Sequence, residues 1–242
     1  MTPFFQRIRS KYVVRFRPQQ LTPCHVALLP IVTQVHLRRM NTAYHMSFST
    51  GGLFHQESVQ LATLYRDLGD WQAVHDRVIA ENILQTRTVS TLKRVYREIV
   101  SRLKSLTSTE LAFLLEGSHQ EQAYLLWLAV CRRYSFIADF AVEVLRERYI
   151  TLKNDVTYDD FDAFFNQKSE WHPELDNISR ATRSKLRQVL FRILREADLL
   201  SANNTINAAL LSPRLLEVIL QAGRREVVYF PVFESDLKGV AQ

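Results

Sequence analysis

Residues 121–149, EQAYLLWLAVCRRYSFIADFAVEVLRERY, carry apolar side chains so densely that much of the segment must be buried. The left half runs Tyr124 to Val130 without a polar residue and stops at Arg132 and Arg133, too short for a bilayer and right for a core helix. In the right half Phe136, Ile137, Phe140, Val144 and Leu145 recur at spacings of three and four, with Asp139, Glu143, Arg146 and Glu147 on the other arc. That pattern predicts a second helix packed on one face. The same reading along the chain predicts helices over 55–68, 71–82, 89–105, 108–116, 119–133, 135–150, 158–168, 181–199 and 213–222.

Punctuation supports this. No proline falls between residues 31 and 172, and the glycines there are Gly51, Gly52, Gly69 and Gly117. Leu68-Gly69-Asp70 reads as a left-handed glycine ending one helix and a carboxylate capping the next. Gly117-Ser118 reads the same way, with Glu121 completing a capping box, and Thr107 with Glu110 forms a second box. Strand signals are confined to Thr205–Ala208 and Val227–Phe233, enough for a small ribbon or edge near the C-terminus. The expected fold class is all-α, a multi-helix bundle with helix-turn-helix-like and winged-helix-like parts. Its expected divisions are a basic extension over 1–43, an N-terminal helical subdomain over 44–106, and a central helix pair with a winged-helix-like part over 107–242.

Charge changes the picture locally. Residues 1–40 hold seven of the chain's 31 basic residues and no acid, which leaves 24 basic against 25 acidic side chains in the rest. The body is therefore not uniformly basic, and a polyanion surface on it must be one face rather than a global field. The extension also carries Pro3, Pro18, Pro23 and Pro30, and three readings stand for it: a basic arm for DNA or a membrane surface, a targeting peptide, or translation assigned upstream of a true start at Met40 or Met46. With only Cys24 and Cys131 there is no disulfide framework, so a reducing cytoplasm is expected, and no long uncharged apolar window suggests a membrane span.

Two predicted helices have basic outer arcs. In 89–105, Leu92, Val95, Ile99 and Leu103 face inward, and Lys93, Arg94, Arg97, Ser101 and Lys104 outward, opposed only by Glu98. A short helix and a turn precede it, with Arg87, Ser90 and Thr91 near its start, so the pair has helix-turn-helix proportions and an N-terminus equipped to meet phosphate. In 181–199, Arg183, Lys185, Arg187, Arg192 and Arg195, with Arg180 just before, form an arc without an acid until Glu196. Such like charges repel, and a polyanion would relieve them. The plain alternative for both is a solvated charged face of an ordinary bundle helix.

Catalytic chemistry is weakly signalled. His45, His55, His75, His119 and His172 show no metal-ligand spacing, so no metal or cofactor is expected. Ser49-Thr50-Gly51-Gly52 lacks the lysine and spacing of a phosphate loop and reads as a turn opening the first helix. Asp155, Asp159, Asp160 and Asp162 are a possible metal cluster for nuclease chemistry, but TYDDFDAFF reads better as acids at a helix start above an aromatic core. Phe161, Phe164, Phe165 and Trp171 read as packing residues before base-stacking platforms.

Several long strings resemble one family. SFSTGGLF at 47–54, LGDW at 68–71, EGSHQEQAYLLWLAVCRRY at 116–134, ADFAVEVLRERY at 138–149, DFDAFFNQKSEWHPEL at 160–175, LREADLL at 194–200 and LLSPRL at 210–215 resemble BrxA, an accessory family of the bacterial BREX phage-exclusion systems. The resemblance covers about 44–220 and implies a cytoplasmic, mainly helical, non-enzymatic protein that binds double-stranded DNA and works beside a methyltransferase and an ATPase. It transfers no site residues. The candidate DNA contacts rest on the two basic helices: Arg87, Lys93, Arg94, Arg97, Lys104, Arg180, Arg183, Lys185, Arg187, Arg192 and Arg195. A scaffold docking other BREX subunits is the alternative, and a monomer is expected.

Overall fold

The computed structural model describes residues 43–221 and 226–233 and folds them as nine helices among the described residues. These are α1 (His55–Leu68), α2 (Trp71–Glu81), α3 (Val89–Leu103), α4 (Ser108–Glu116), α5 (His119–Arg133), α6 (135–150), α7 (Tyr158–Ser169), α8 (Arg180–Glu196) and α9 (Pro213–Gln221). The all-α expectation holds, and the helix bounds fall within three residues of those the pattern predicts. The basic extension over 1–43 lies, apart from residue 43, outside the described residues. The described residues from Ala43 onward form one compact unit.

Helix α5 is the centre. Ala123 through Cys131 are all buried, and α1, α3, α4, α6, α8 and a 3-10 turn at Glu226–Tyr229 pack around them. A helix that is apolar on every side has to be enclosed in this way. Helix α6 follows after Tyr134 and contains a π-helical stretch, Ala141–Arg146, between its α-helical ends. Phe136 on α6 meets Phe161, Phe164 and Phe165 of α7 edge-on at centroid distances of 5.1–5.9 Å, and all three α7 rings are buried as expected.

The ends of the helices follow the cap chemistry. Asp70 accepts the Ala73 N–H at 2.9 Å, Gly69 is left-handed with φ of 71°, and Thr107–Glu110 and Ser118–Glu121 both close capping boxes. Gly117 departs from expectation. Its φ is −68°, so what it supplies is small size, since a Cβ there would crowd the Phe113 carbonyl and the Glu121 side chain. Gly51 is left-handed at 71°, and Gly52 leaves no room for a Cβ beside the Glu196 carboxylate.

The ribbon is corrected. Thr205 and Ile206 make only isolated bridges, to Asp155 and Leu200. Of the stretch read as extended over Val227–Phe233, the first part is the 3-10 turn. Packing overrides the β-propensity of these residues: the turn points the Tyr229 carbonyl at the Trp127 indole N–H, 3.0 Å away, and buries Phe230 edge-on against Tyr124. Trp171 is also corrected, being 66% exposed instead of packed, because α7 has ended two residues before it.

Candidate nucleic-acid interface

Helix α3 starts on Thr88, whose hydroxyl accepts the Thr91 N–H at 3.2 Å. The loop before it is held by Asn82, which is left-handed with φ of 45°, accepts the Thr86 N–H at 3.1 Å and donates to the Thr86 carbonyl at 3.1 Å. Leu92, Val95, Ile99 and Leu103 are buried as the periodicity requires. That fixes the opposite arc outward: Arg87, Lys93, Arg94, Arg97 and Lys104 are all exposed. Lys93, Arg97, Ser101 and Lys104, spaced by four, four and three, form one stripe.

Glu98, which the sequence places against those cations, faces the other way. Its side chain is 11% exposed and pairs with Arg102, one turn on and 3% exposed, at 2.8 Å. Tyr134 donates its hydroxyl to the same carboxylate at 2.6 Å. Burial, with the negative Glu98 beside it, pushes the Tyr134 phenol up to about 12, so it stays a donor. Among the described residues no carboxylate lies within ion-pair distance of Arg87, Lys93, Arg94, Arg97 or Lys104. The α3 arc therefore keeps its charge for solvent or a ligand.

Helix α8 is different. Arg183 donates from Nε to Asp162 Oδ1 at 2.9 Å, from Nη2 to the Asp162 carbonyl at 2.8 Å and from Nη1 to Asn166 Oδ1 at 2.7 Å, with its guanidinium 4.3 Å from the Phe165 centroid. Arg187 takes the other Asp162 oxygen and lies over the Tyr158 ring. Arg192 pairs with Glu196 at 2.6 Å, and Arg195 donates to Asn204 Oδ1 at 2.7 Å. Only Arg180 and Lys185, of the six, are exposed with no carboxylate of the described residues in reach. Much of the repulsion expected in this arc is relieved within the protein, by α7.

The C-terminal ends of the two basic helices share a neighbour, the Gly52–Leu53 segment. Arg102 Nη1 donates to the Gly52 carbonyl at 2.8 Å, and the next N–H, of Leu53, donates to Glu196 Oε2 at 2.5 Å. Both helices pack on α5; α3 also packs on α1 and α2, and α8 is tied to α7 through Asp162. The aspartate cluster is dispersed into arginine pairings: Asp155 and Asp160 with Arg148, Asp162 with α8. Among the described residues no three His, Cys, Asp or Glu side chains come together as a metal site, and no helix is long and apolar enough to cross a membrane.

The pattern does not reveal the buried ionic hub. Arg132 donates five hydrogen bonds: two to Glu110, two to Glu226 and one to the Ser105 carbonyl, at 2.6–3.0 Å. The only available signal is an arginine closing an otherwise apolar helix.

Known proteins resemble this chain in sequence and in fold. A protein named BREX protein BrxA from Escherichia coli O9:H4 (strain HS) is 26% identical over 180 residues, covering 74% of this chain and 84% of that protein. One of the same name from Bacillus cereus (strain H3081.97) is 28% identical over 153 residues, covering 62% and 76%. The crystal structure of an uncharacterized protein from Magnetospirillum magneticum shares the fold, with a TM-score of 0.68 at 20% identity over 78% of this chain and 98% of that one. The BrxA family model matches residues 42–223, three quarters of the sequence, and the chain belongs to the BrxA family.

Proposed function

We propose that this protein is a non-catalytic, double-stranded-DNA-binding accessory factor of a BREX-type phage-defence system, acting in the cytoplasm, with α3 as its principal contact surface. The observation that carries the reading is the exposed stripe Lys93, Arg97 and Lys104 with Arg94 beside it, from which the one acid of the helix, Glu98, is turned away. Backbone phosphates are the ligand such a stripe fits, since they accept hydrogen bonds and release counterions without demanding a base sequence. With α2 and a loop before it, α3 is read as the second helix of a helix-turn-helix-like unit. Arg180 and Lys185 on α8 are secondary contacts, and Arg183 and Arg187 brace α8 on α7. The shared BREX name of the relatives supports work within that system, and the resemblance to BrxA implies a methyltransferase and an ATPase as its neighbours there.

The test is retardation of a blunt duplex by purified protein across a salt series, repeated with Lys93, Arg94, Arg97 and Lys104 changed to Ala. Four lost phosphate contacts reduce the slope of log K against log salt by about 3.6. A protein that never retards duplex would transfer the stripe to an acidic protein partner within the BREX assembly.

A further inference from the structure

The stripe on α3 borders a cleft. Between α2 and α3 lies a cavity of about 520 Å3 with Arg97, Ser101 and Lys104 on one side, Gln72 and His75 on the other, and Tyr96 in its wall. Asp70 also lines it, but its carboxylate is engaged as the α2 cap. A second cavity of about 420 Å3 lies between α1 and α4 and is mostly apolar, lined by Tyr65, Leu106, Leu111, Ala112 and Leu115. Trp71 and Lys104 line both cavities. The Trp71 ring stacks on Tyr65 with centroids 4.1 Å apart and planes 10° from parallel. Its position is fixed from behind by Tyr96, whose hydroxyl donates to the Trp71 carbonyl at 2.6 Å.

A cationic chamber and an apolar chamber with an aromatic wall, joined at Trp71 and Lys104, match the two halves of a nucleotide. We propose that the cleft receives one unpaired nucleotide of the DNA bound along α3, its phosphate held by Arg97 and Lys104 and its base lodged beside the Tyr65–Trp71 stack. This rests on the DNA-binding reading above. Each volume lies within the range of ligand pockets, roughly 300–1,000 Å3. A base already unpaired enters without the cost of leaving a duplex, and stacking on an aromatic ring is tolerant of base identity. An acidic peptide would use the cations but would gain little from a flat paired-ring wall.

The experiment compares two short duplexes that differ by one bulged 2-aminopurine, using the full chain. The bulged duplex binds about tenfold more tightly than the paired one, and its fluorescence falls as the base stacks on Trp71. Ala112 is an exposed residue of α4, so Ala112→Trp fills the apolar chamber from outside. It removes the tenfold preference and leaves binding of the paired duplex unchanged. Equal affinity for both duplexes with constant fluorescence overturns the nucleotide site while the DNA-binding reading stands. Failure to bind either duplex overturns both. Displacement of bulged DNA by a phosphoserine peptide at comparable concentration overturns the assignment in favour of a peptide site. The fluorescence arm needs no variant, so it decides the matter even if Ala112→Trp misfolds.

Discussion

Glu98 and Arg102, one turn apart on α3, close an ion pair of 2.8 Å on the inner side of a helix whose outer side is basic. Exposed pairs at this spacing contribute a few tenths of a kcal/mol. This one is nearly enclosed, shares its carboxylate with the Tyr134 hydroxyl and points a guanidinium at Gly52. Removing one partner leaves a buried charge. Glu98→Ala is therefore expected to destabilise the fold by about 3 kcal/mol and lower Tm by roughly 6–12 °C, read by thermal melting. At temperatures where the variant is folded, its affinity for duplex DNA stays at the wild-type value. Were Glu98 a solvated acid of the DNA face, deleting it would tighten binding.

Asp162 separates the two basic helices in a second way. Asp162→Asn keeps the shape but removes the charge that holds Arg183 and Arg187. Duplex affinity at low salt is expected to rise severalfold in that variant, because two guanidinium groups lose their internal partner. The double change Arg183→Ala and Arg187→Ala should act mainly on Tm, while Arg180→Ala with Lys185→Ala reduces the salt slope by at most about 1.8. A salt series on these three variants, beside the α3 quadruple variant, ranks the helices. A slope change for the Arg183/Arg187 pair as large as that of the α3 variant would contradict the ranking.

What the sequence made legible was local. The spacing of Leu92, Val95, Ile99 and Leu103 fixes which way α3 faces, and Asp70, Thr107 and Ser118 announce the helix starts because a cap is a contact over three residues. The fate of each charge was not legible. Glu98 and Lys93 both flank the apolar face on a helical wheel, and only the positions of Tyr134, 36 residues from Glu98, and of Gly52, which holds its partner Arg102, decide that the first is half-buried and paired and the second is exposed. Likewise Val227–Phe233 has strand composition, but Trp127 needs an acceptor where only a tight turn supplies one. The cleft beside Trp71 arises from four helices, α1 to α4, none of which carries its chemistry alone.

The hub at Arg132 gives a prediction in pH. Burial opposes ionisation of Glu110, yet the hydrogen bonds from Arg132 and the Thr107 N–H outweigh it, and the folded-state pKa lies below the ordinary 4.5. A depressed acid stabilises the fold fully above its unfolded value and loses that contribution as pH falls through the folded one. Wild-type Tm is thus expected to drop below pH 4.5. Glu110→Gln retains a capping side chain, so it should melt lower at neutral pH and lose less on acidification. Arg132→Met takes the guanidinium away from the buried Glu110 carboxylate, whose charged form burial then disfavours, and the sign reverses: acidification from pH 7 raises its Tm until Glu110 is protonated. Melting curves from pH 7 to 3 on the three proteins would separate the cases, and parallel profiles would refute the hub's role.

Tyr44 decides how the body can be studied without its basic extension. Its hydroxyl donates to Asp139 Oδ2 at 2.7 Å, its ring stacks on His172 at 3.9 Å, and its backbone N–H donates to Glu174 Oε1 at 2.6 Å. His172 Nδ1 lies 2.9 Å from the same oxygen, so one residue ties the chain to α6 and to the segment after α7. Removing a buried aromatic of this kind costs about 3–5 kcal/mol. A protein beginning at Met46 lacks Tyr44, and is expected to melt roughly 6–20 °C below one beginning at Met40. Beginning at Met40 still removes all seven basic residues of the extension, Arg7 through Arg39. If the two truncations melt together, Tyr44 is dispensable. If they differ as expected, DNA binding by the Met40 form reports on the body alone, and loss of binding by the Met46 form would reflect unfolding and not the location of the interface.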